Sequence, residues 1–167
     1  MMKIPRSVMI IIGVFLALAL YGCGYGFRPQ SALPGQVITI GLIENRTHEP
    51  KLQDKLSRAL AEEFMKQGIR VERGADYTLA GVVKNFQMVS LSERGGITVE
   101  YRVLVSAEFK LLDAGGRVVM TKNFSSPFIV SVTDPGDLGG LLALKDLAED
   151  RAMSDLAIEI TGAVIYR

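Results

Sequence analysis

The reactive inventory of this 167-residue chain is short: one cysteine, Cys23, one histidine, His48, and no tryptophan. A thiolate can act as a nucleophile or bind a metal. Structural metal sites gather several Cys or His ligands, and no second Cys exists to complete one or to close a disulfide. His48 is the sole imidazole for acid–base work, and it stands in the polar run Glu44-Asn45-Arg46-Thr47-His48-Glu49-Pro50. A Ser-His-Asp arrangement would have to be assembled around that run, and nothing marks the Ser. His48 therefore reads as a solvated turn residue. Glu62 and Glu63 are neighbours on a helical stretch, where successive side chains point in different directions, so they make no acid/base pair. Gly24 and Gly26 look like a fragment of a nucleotide loop but precede no strand–helix unit. Asn45-Arg46-Thr47 and Asn123-Phe124-Ser125 fit the N-glycosylation pattern. Asn45 and Thr47 are read instead as turn and cap chemistry, their side chains bonding nearby backbone N–H groups. No catalytic residue, cofactor or metal is implied.

Cys23 acquires a different chemistry from its surroundings. Lys3 and Arg6 form a basic head, Val8 to Leu20 carries no charge, and small Gly22 directly precedes the cysteine. That order describes a secretory signal peptide. Its apolar middle, thirteen residues, falls short of the roughly 17–25 that span a bilayer. Leu20-Tyr21-Gly22-Cys23 resembles the bacterial lipobox, with Leu, Gly and Cys in their places and Tyr21 an uncommon filler. Residues 1–22 are thus expected to be cleaved as a lipoprotein signal peptide and Cys23 to be acylated. Each buried methylene contributes about 0.8 kcal/mol, so a multiply acylated Cys23 holds the protein on a membrane. The lipobox places the protein in bacteria, so both glycosylation matches are discounted. Gly24 follows the cysteine in place of the Asp that resembles an inner-membrane retention signal. The expected location is the periplasmic face of the outer membrane.

Residues 23–167 suit one domain, which can bury about 68–70% of its unfolded surface without a staple. Nineteen basic and eighteen acidic side chains give +1, and loss of Lys3 and Arg6 leaves the mature part at −1. That is no electrostatic footprint for nucleic acid.

Residues 23–36 are rich in Gly and Pro and read as the lipidated N-terminus and tether, leaving 37–167 as the domain. Val37 to Ile43 is β-branched and apolar, the pattern of a strand buried on both faces. Pro50 suits a helix start. Leu52, Leu56, Leu60 and Phe64 then recur at four-residue steps opposite Lys51, Asp54, Lys55, Arg58, Glu62 and Lys66, an amphipathic helix that Gly68 ends. Ile69-Arg70-Val71 is a short extended piece. Tyr77 to Leu91 reads as a strand, followed by a polar break, Ser92 to Gly96. From Val99 to Leu112 apolar and mostly polar residues alternate, a strand with one covered face. Asp113-Ala114-Gly115-Gly116 turns a hairpin into a partner strand, Arg117 to Phe128. After a loop from Ser131 to Gly140, Leu144, Leu147, Ala148, Ala152, Leu156, Ile160 and Ala163 mark a second amphipathic helix over about 141–165. The order β-α-β-β-β-α predicts an α+β two-layer sandwich, with both helices on one face of a roughly four-stranded mixed sheet.

In this order and spacing the chain resembles the LPS-assembly lipoprotein LptE family. The resemblance rests on Cys23-Gly24-Tyr25-Gly26-Phe27-Arg28, on Ile40 through Phe64 with Glu44-Asn45-Arg46-Thr47 and Pro50, and on Ala75-Asp76-Tyr77-Thr78-Leu79. Glu100-Tyr101-Arg102-Val103 and Ala148-Glu149-Asp150-Arg151-Ala152 complete it. It implies a non-enzymatic outer-membrane component that plugs and helps assemble an LptD-type β-barrel and binds lipopolysaccharide. Polar stretches such as Ser90–Gly96 and Ser131–Gly140 would suit a polar lumen. A lipopolysaccharide binder needs cations beside apolar surface. Among Lys84, Arg94, Arg102, Lys110, Arg117 and Lys122, the last strand and loop cations with few acids nearby are Arg94, Arg117 and Lys122. Arg102 and Lys110 share the polar face of the long strand with Glu100 and Glu108, so cross-strand ion pairing is expected of them. Two other readings compete. An accessory lipoprotein of another envelope machine, such as a penicillin-binding-protein activator, shares the lipidated Cys and compact α/β domain but usually has a longer linker. A periplasmic hydrolase would need His48.

If Cys23 is the anchor, Cys23→Ala should release the domain from membranes without unfolding it. Fractionation of a cleanly processed mutant checks this; continued membrane anchoring would remove the lipobox.

Overall fold

The computed structural model describes residues 33, 36–94, 97–131 and 138–166; the signal peptide, the lipobox and Cys23 lie outside them. β1 (Val37–Asn45) is followed by α1 (Leu52–Lys66), β2 (Arg70–Val71), β3 (Thr78–Arg94), β4 (Ile97–Leu112), β5 (Val118–Ser131) and α2 (Leu138–Ile165). The sheet order is β2-β1-β3-β4-β5, with β1 parallel to both neighbours and the β3-β4-β5 meander antiparallel. The α+β two-layer arrangement is as read from the sequence, with one addition. Arg70–Val71 pairs with Val37 and Ile38, so the short extended piece makes a fifth strand.

β1 departs from the expectation of burial on both faces. Ile38 and Ile43 are buried, but Leu42 is 73% exposed and Glu44 also faces solvent. Both helices lie on one side, so hydrophobic composition alone could not cover the other. Residues 72–77 carry the chain from one side of β1 to the other. The Thr39 hydroxyl secures this crossing, donating to the Glu72 carbonyl at 2.8 Å and accepting from the Ala75 N–H at 3.0 Å.

The four-residue stripe of α1 does what its spacing dictates: Leu52, Leu56, Leu60 and Phe64 are each 0% exposed. The helix closes with Gly68 at φ 78°, a left-handed conformation in which glycine meets no Cβ penalty. The Gly68 N–H donates to Met65 O at 3.0 Å and the Ile69 N–H to Phe64 O at 2.9 Å. This double closure puts buried Ile69 against Phe64, the Schellman arrangement. At the other end the helix starts at Leu52, so Pro50 falls in the preceding turn. Asn45 and Thr47 build that turn: Asn45 Oδ1 accepts from the Thr47 N–H and hydroxyl at 3.0 and 2.8 Å, and Asn45 Nδ2 donates to Glu49 O at 2.6 Å.

β4 keeps its alternation, with Val103, Val105, Ala107, Phe109 and Leu111 all buried. Its ladder with β3 is longer than expected. Ser92↔Glu100, Glu93↔Thr98 and Arg94↔Ile97 are paired, so the polar stretch placed in a break belongs to the strands as far as Arg94. Polar side chains do not prevent this, because the ladder satisfies the backbone whatever the side chains are. Ser131 likewise ends β5, and Leu138–Gly140 already belong to α2.

α2 buries Ala148, Ala152, Met153, Leu156, Ala157, Ile160 and Val164, whereas Leu147 is 50% exposed. Leu147 shares its outward side with Arg151 and Ile158, about one helical position off the stripe. α1 packs over β1 and β2, α2 over β4 and β5, and the helices lie side by side. Between them and the sheet, Phe109 meets Phe124 edge-on at 6.3 Å between ring centres. Gly81 stands opposite Phe109 across the ladder, where a Cβ would sit 2.5 Å from the ring and 2.7 Å from Glu108 O. Only glycine leaves room there.

A charge cluster sets the helix register. Lys55 Nζ contacts Asp146, Glu149 at 2.9 Å and Asp150 at 3.0 Å, while Lys145 reaches Glu49 at 2.6 Å. Burial alone would pull the Lys55 ammonium down, but hydrogen bonds to its three carboxylates outweigh it and hold it above its ordinary 10.5. Burial pushes Glu149 up in spite of Lys55. The hydrogen bond from Lys55 holds the exposed Asp146 below the usual carboxylate range.

Two outcomes are expected. Gly81→Ala should cost about 1–3 kcal/mol through overpacking against Phe109, read from urea midpoints. An unchanged midpoint would mean the ring yields freely. Lys55→Met should cost on the order of 3 kcal/mol at neutral pH, because it strands Glu149 without its ammonium. Glu149's raised value makes its ionisation unfavourable to folding, so that cost is relieved as pH falls through the raised value. The deficit of the variant should therefore shrink on acidification; a deficit independent of pH would assign Lys55 to packing alone.

Candidate functional site

With both helices on one face, the other face of the sheet is open among the described residues. Leu42 and Glu44 of β1, Ala80, Val82 and Lys84 of β3, and Glu108 of β4 line a shallow concavity of about 470 Å³ on it. Apolar and charged side chains alternate across strands here, since each strand turns every second residue outward. Glu108 is the electrostatic centre. Lys84 Nζ lies 2.5 Å from one of its oxygens and Lys110 Nζ 3.6 Å from the other. The hydrogen bond from Lys84 holds the Glu108 carboxyl below its ordinary value. Lys84 also donates to Asn123 Oδ1 at 3.4 Å, tying β3 to β5 across β4. Beside them Arg46 pairs with Glu44 at 2.7 Å.

Lys110 pairs with Glu108 along β4 itself and not across strands as expected, and the shorter, cross-strand partnership of Glu108 with Lys84 was not legible. Lys84 falls in the irregularity between Val83 and Asn85, where β3 carries one residue more than its partner. A bulge re-aims the side chain it contains and leaves no clear mark in the residue pattern.

The three cations singled out by sequence do not share one place. Arg94 ends β3 opposite Ile97, whereas Arg117 sits in the hairpin after Leu112. The whole of β4 separates them, about 50 Å at the usual rise of a strand. Arg117 has an acid partner after all: Asp113 receives its Nε at 2.9 Å and lies 2.7 Å from its Nη2. Hydrogen bonding to this guanidinium lowers the Asp113 carboxyl. The pair locks the turn, in which Asp113 Oδ1 also accepts from the Gly115 and Arg117 N–H groups at 2.9 and 3.0 Å. Lys122 lies on β5 opposite Phe109, exposed, with its ammonium 5.5 Å from the centre of the Phe124 ring. His48 is exposed in the turn before α1.

None of this constellation aligns a nucleophile with a base. It offers mixed apolar and ionic surface, the chemistry of an interface.

Comparison with known proteins gives a family and a fold. Residues 36–162 match the model of the family described as LptE, lipopolysaccharide-assembly. No curated protein matches. Among solved structures, the chain is similar to a putative lipoprotein from Caulobacter crescentus CB15, with 20% identity, a TM-score of 0.55, and 73% of this chain and 86% of that one covered. It is also similar to a minor lipoprotein from Acinetobacter baumannii, at 15% identity and a TM-score of 0.53 over 79% and 92% of the two chains. A PelC variant dodecamer from Paraburkholderia phytofirmans gives 18% identity and a TM-score of 0.55 over 83% and 94%. At such identities these likenesses establish the fold alone.

Proposed function

Because the chain belongs to the LptE family of lipopolysaccharide-assembly proteins, we propose that it plugs and helps assemble an LptD-type outer-membrane β-barrel and binds lipopolysaccharide during delivery to the outer leaflet. The family match over residues 36–162 carries this reading. In it, residues 1–22 are removed as a signal peptide and acylated Cys23 anchors the domain at the periplasmic face of the outer membrane. The role is non-catalytic, and the protein needs no cofactor.

The surfaces are compatible with it. A barrel lumen is polar, and the open sheet face presents paired ions around Glu108 among Leu42, Ala80 and Val82. Lipopolysaccharide combines phosphates with acyl chains, so its contacts need a cation beside apolar surface. Lys122 supplies an exposed cation on β5, although the Phe124 ring beneath it is buried and offers no surface to acyl chains. Arg94, at the other end of β4, would meet a different part of the ligand, and Arg117 would have to share its guanidinium with Asp113.

The test is affinity purification of the full-length lipoprotein from detergent-solubilised envelopes, with mass spectrometry of the partners and an assay for bound lipopolysaccharide. A stoichiometric LptD-type barrel is expected, with less bound lipopolysaccharide in the charge reversals Arg94→Glu and Lys122→Glu. Recovery of a peptidoglycan synthase in place of a barrel would overturn the reading. Unchanged lipopolysaccharide in both reversals would remove those two cations from the site.

A further inference from the structure

The sheet has two long edges, and they are built differently. β1 ends at Asn45 opposite Val83, where the Arg46 N–H still donates to Val83 O at 2.9 Å. Beyond that point β3 runs on to Arg94 with β4 on one side only. From Asn85 to Ser90 it pairs regularly with Ser106 to Tyr101, between one irregularity at Val83/Asn85 and another at Ser90/Ser92. Among the described residues, none hydrogen bonds to the other side of this six-residue run.

Unpaired strand edges invite another strand, and proteins normally blunt them with proline or charge. β5, the other long edge, has both: Pro127 offers no N–H, and Lys122 is exposed. Asn85-Phe86-Gln87-Met88-Val89-Ser90 has no proline, no glycine and no charge. Its side chains are also left incompletely covered. Phe86 and Met88 point toward the helix layer but are only partly buried, because α1 lies over β1 and β2 while α2 lies over β4 and β5. On the open face Val89 is 46% exposed.

We infer that the free edge of β3 from Asn85 to Ser90 receives an extended segment of the barrel partner by strand addition. This rests on the proposed function and goes beyond it by naming the surface and the binding mode. In an antiparallel ladder every second residue directs its N–H and C=O to the same neighbour, so this run offers about six hydrogen bonds. Backbone pairing supplies the affinity and alternate side-chain pockets the selectivity. The incoming segment is uncharged, with apolar residues at every second position to cover Phe86 and Met88. It comes from a lumen-facing loop and not from the barrel wall, since a closed barrel has no free strand edge to give.

Amide hydrogen exchange, read residue by residue by fragmentation mass spectrometry, tests this on the intact lipoprotein alone and in its purified barrel complex. In the isolated protein three alternate amides between 85 and 90 should exchange fast and the other three slowly. In the complex all six should be slow, the fast three by at least tenfold. A complex in which those three stay fast overturns the inference while leaving the function standing. Protection that appears in the isolated lipoprotein as its concentration rises makes a second copy the occupant, and also overturns it. Failure to obtain any barrel complex removes the function and the inference together.

Discussion

The molecule depends on one buried seam. The Leu52-Leu56-Leu60-Phe64 stripe of α1 and the Ala148-Ala152-Leu156-Ile160 stripe of α2 meet over a sheet face made of Leu79, Val83, Val103, Val105, Phe109 and Leu111. Apolar burial at about 25 cal/mol per Å² is the only large stabilising term available, since the chain has no disulfide. Lys55 then fixes how the helices slide against each other, because its ammonium sits where Asp146, Glu149 and Asp150 converge. Hydrophobic contact alone is non-directional and would tolerate a shift of register.

That seam consumes both helices on one side, and the rest follows. Among the described residues no layer covers the second sheet face, which carries ion pairs centred on Glu108 among apolar side chains. The meander outruns β1, so among the described residues β3 has a free edge. The proposed role as a plug and partner-binding subunit would use such surfaces. In an isolated soluble domain an uncharged strand edge without proline would be a hazard.

Much of this was legible in the residues. The four-residue spacing of α1 and the two-residue alternation of β4 identify their buried sides without any tertiary knowledge, and the terminating role of Gly68 follows from backbone freedom. Strand limits were less legible. Ser92, Glu93 and Arg94 look like loop residues, and only their partners Glu100, Thr98 and Ile97 keep them in the ladder. Leu147 was misplaced because a helix as apolar as α2 has no sharp periodicity, so its buried side is set by what it packs on.

By itself, then, the sequence determined the element types, the layer arrangement and the family resemblance, because local periodicity and turn chemistry act between residues close along the chain. It also named cations without being able to group them. Only the tertiary structure decided that Arg94 and Arg117 stand at opposite ends of β4, that the bulge at Val83/Asn85 brings Lys84 to Glu108, and that the edge from Asn85 to Ser90 lacks a neighbour among the described residues. Each depends on which strands lie side by side and in what register. Those are pairings between distant residues, which no local pattern encodes.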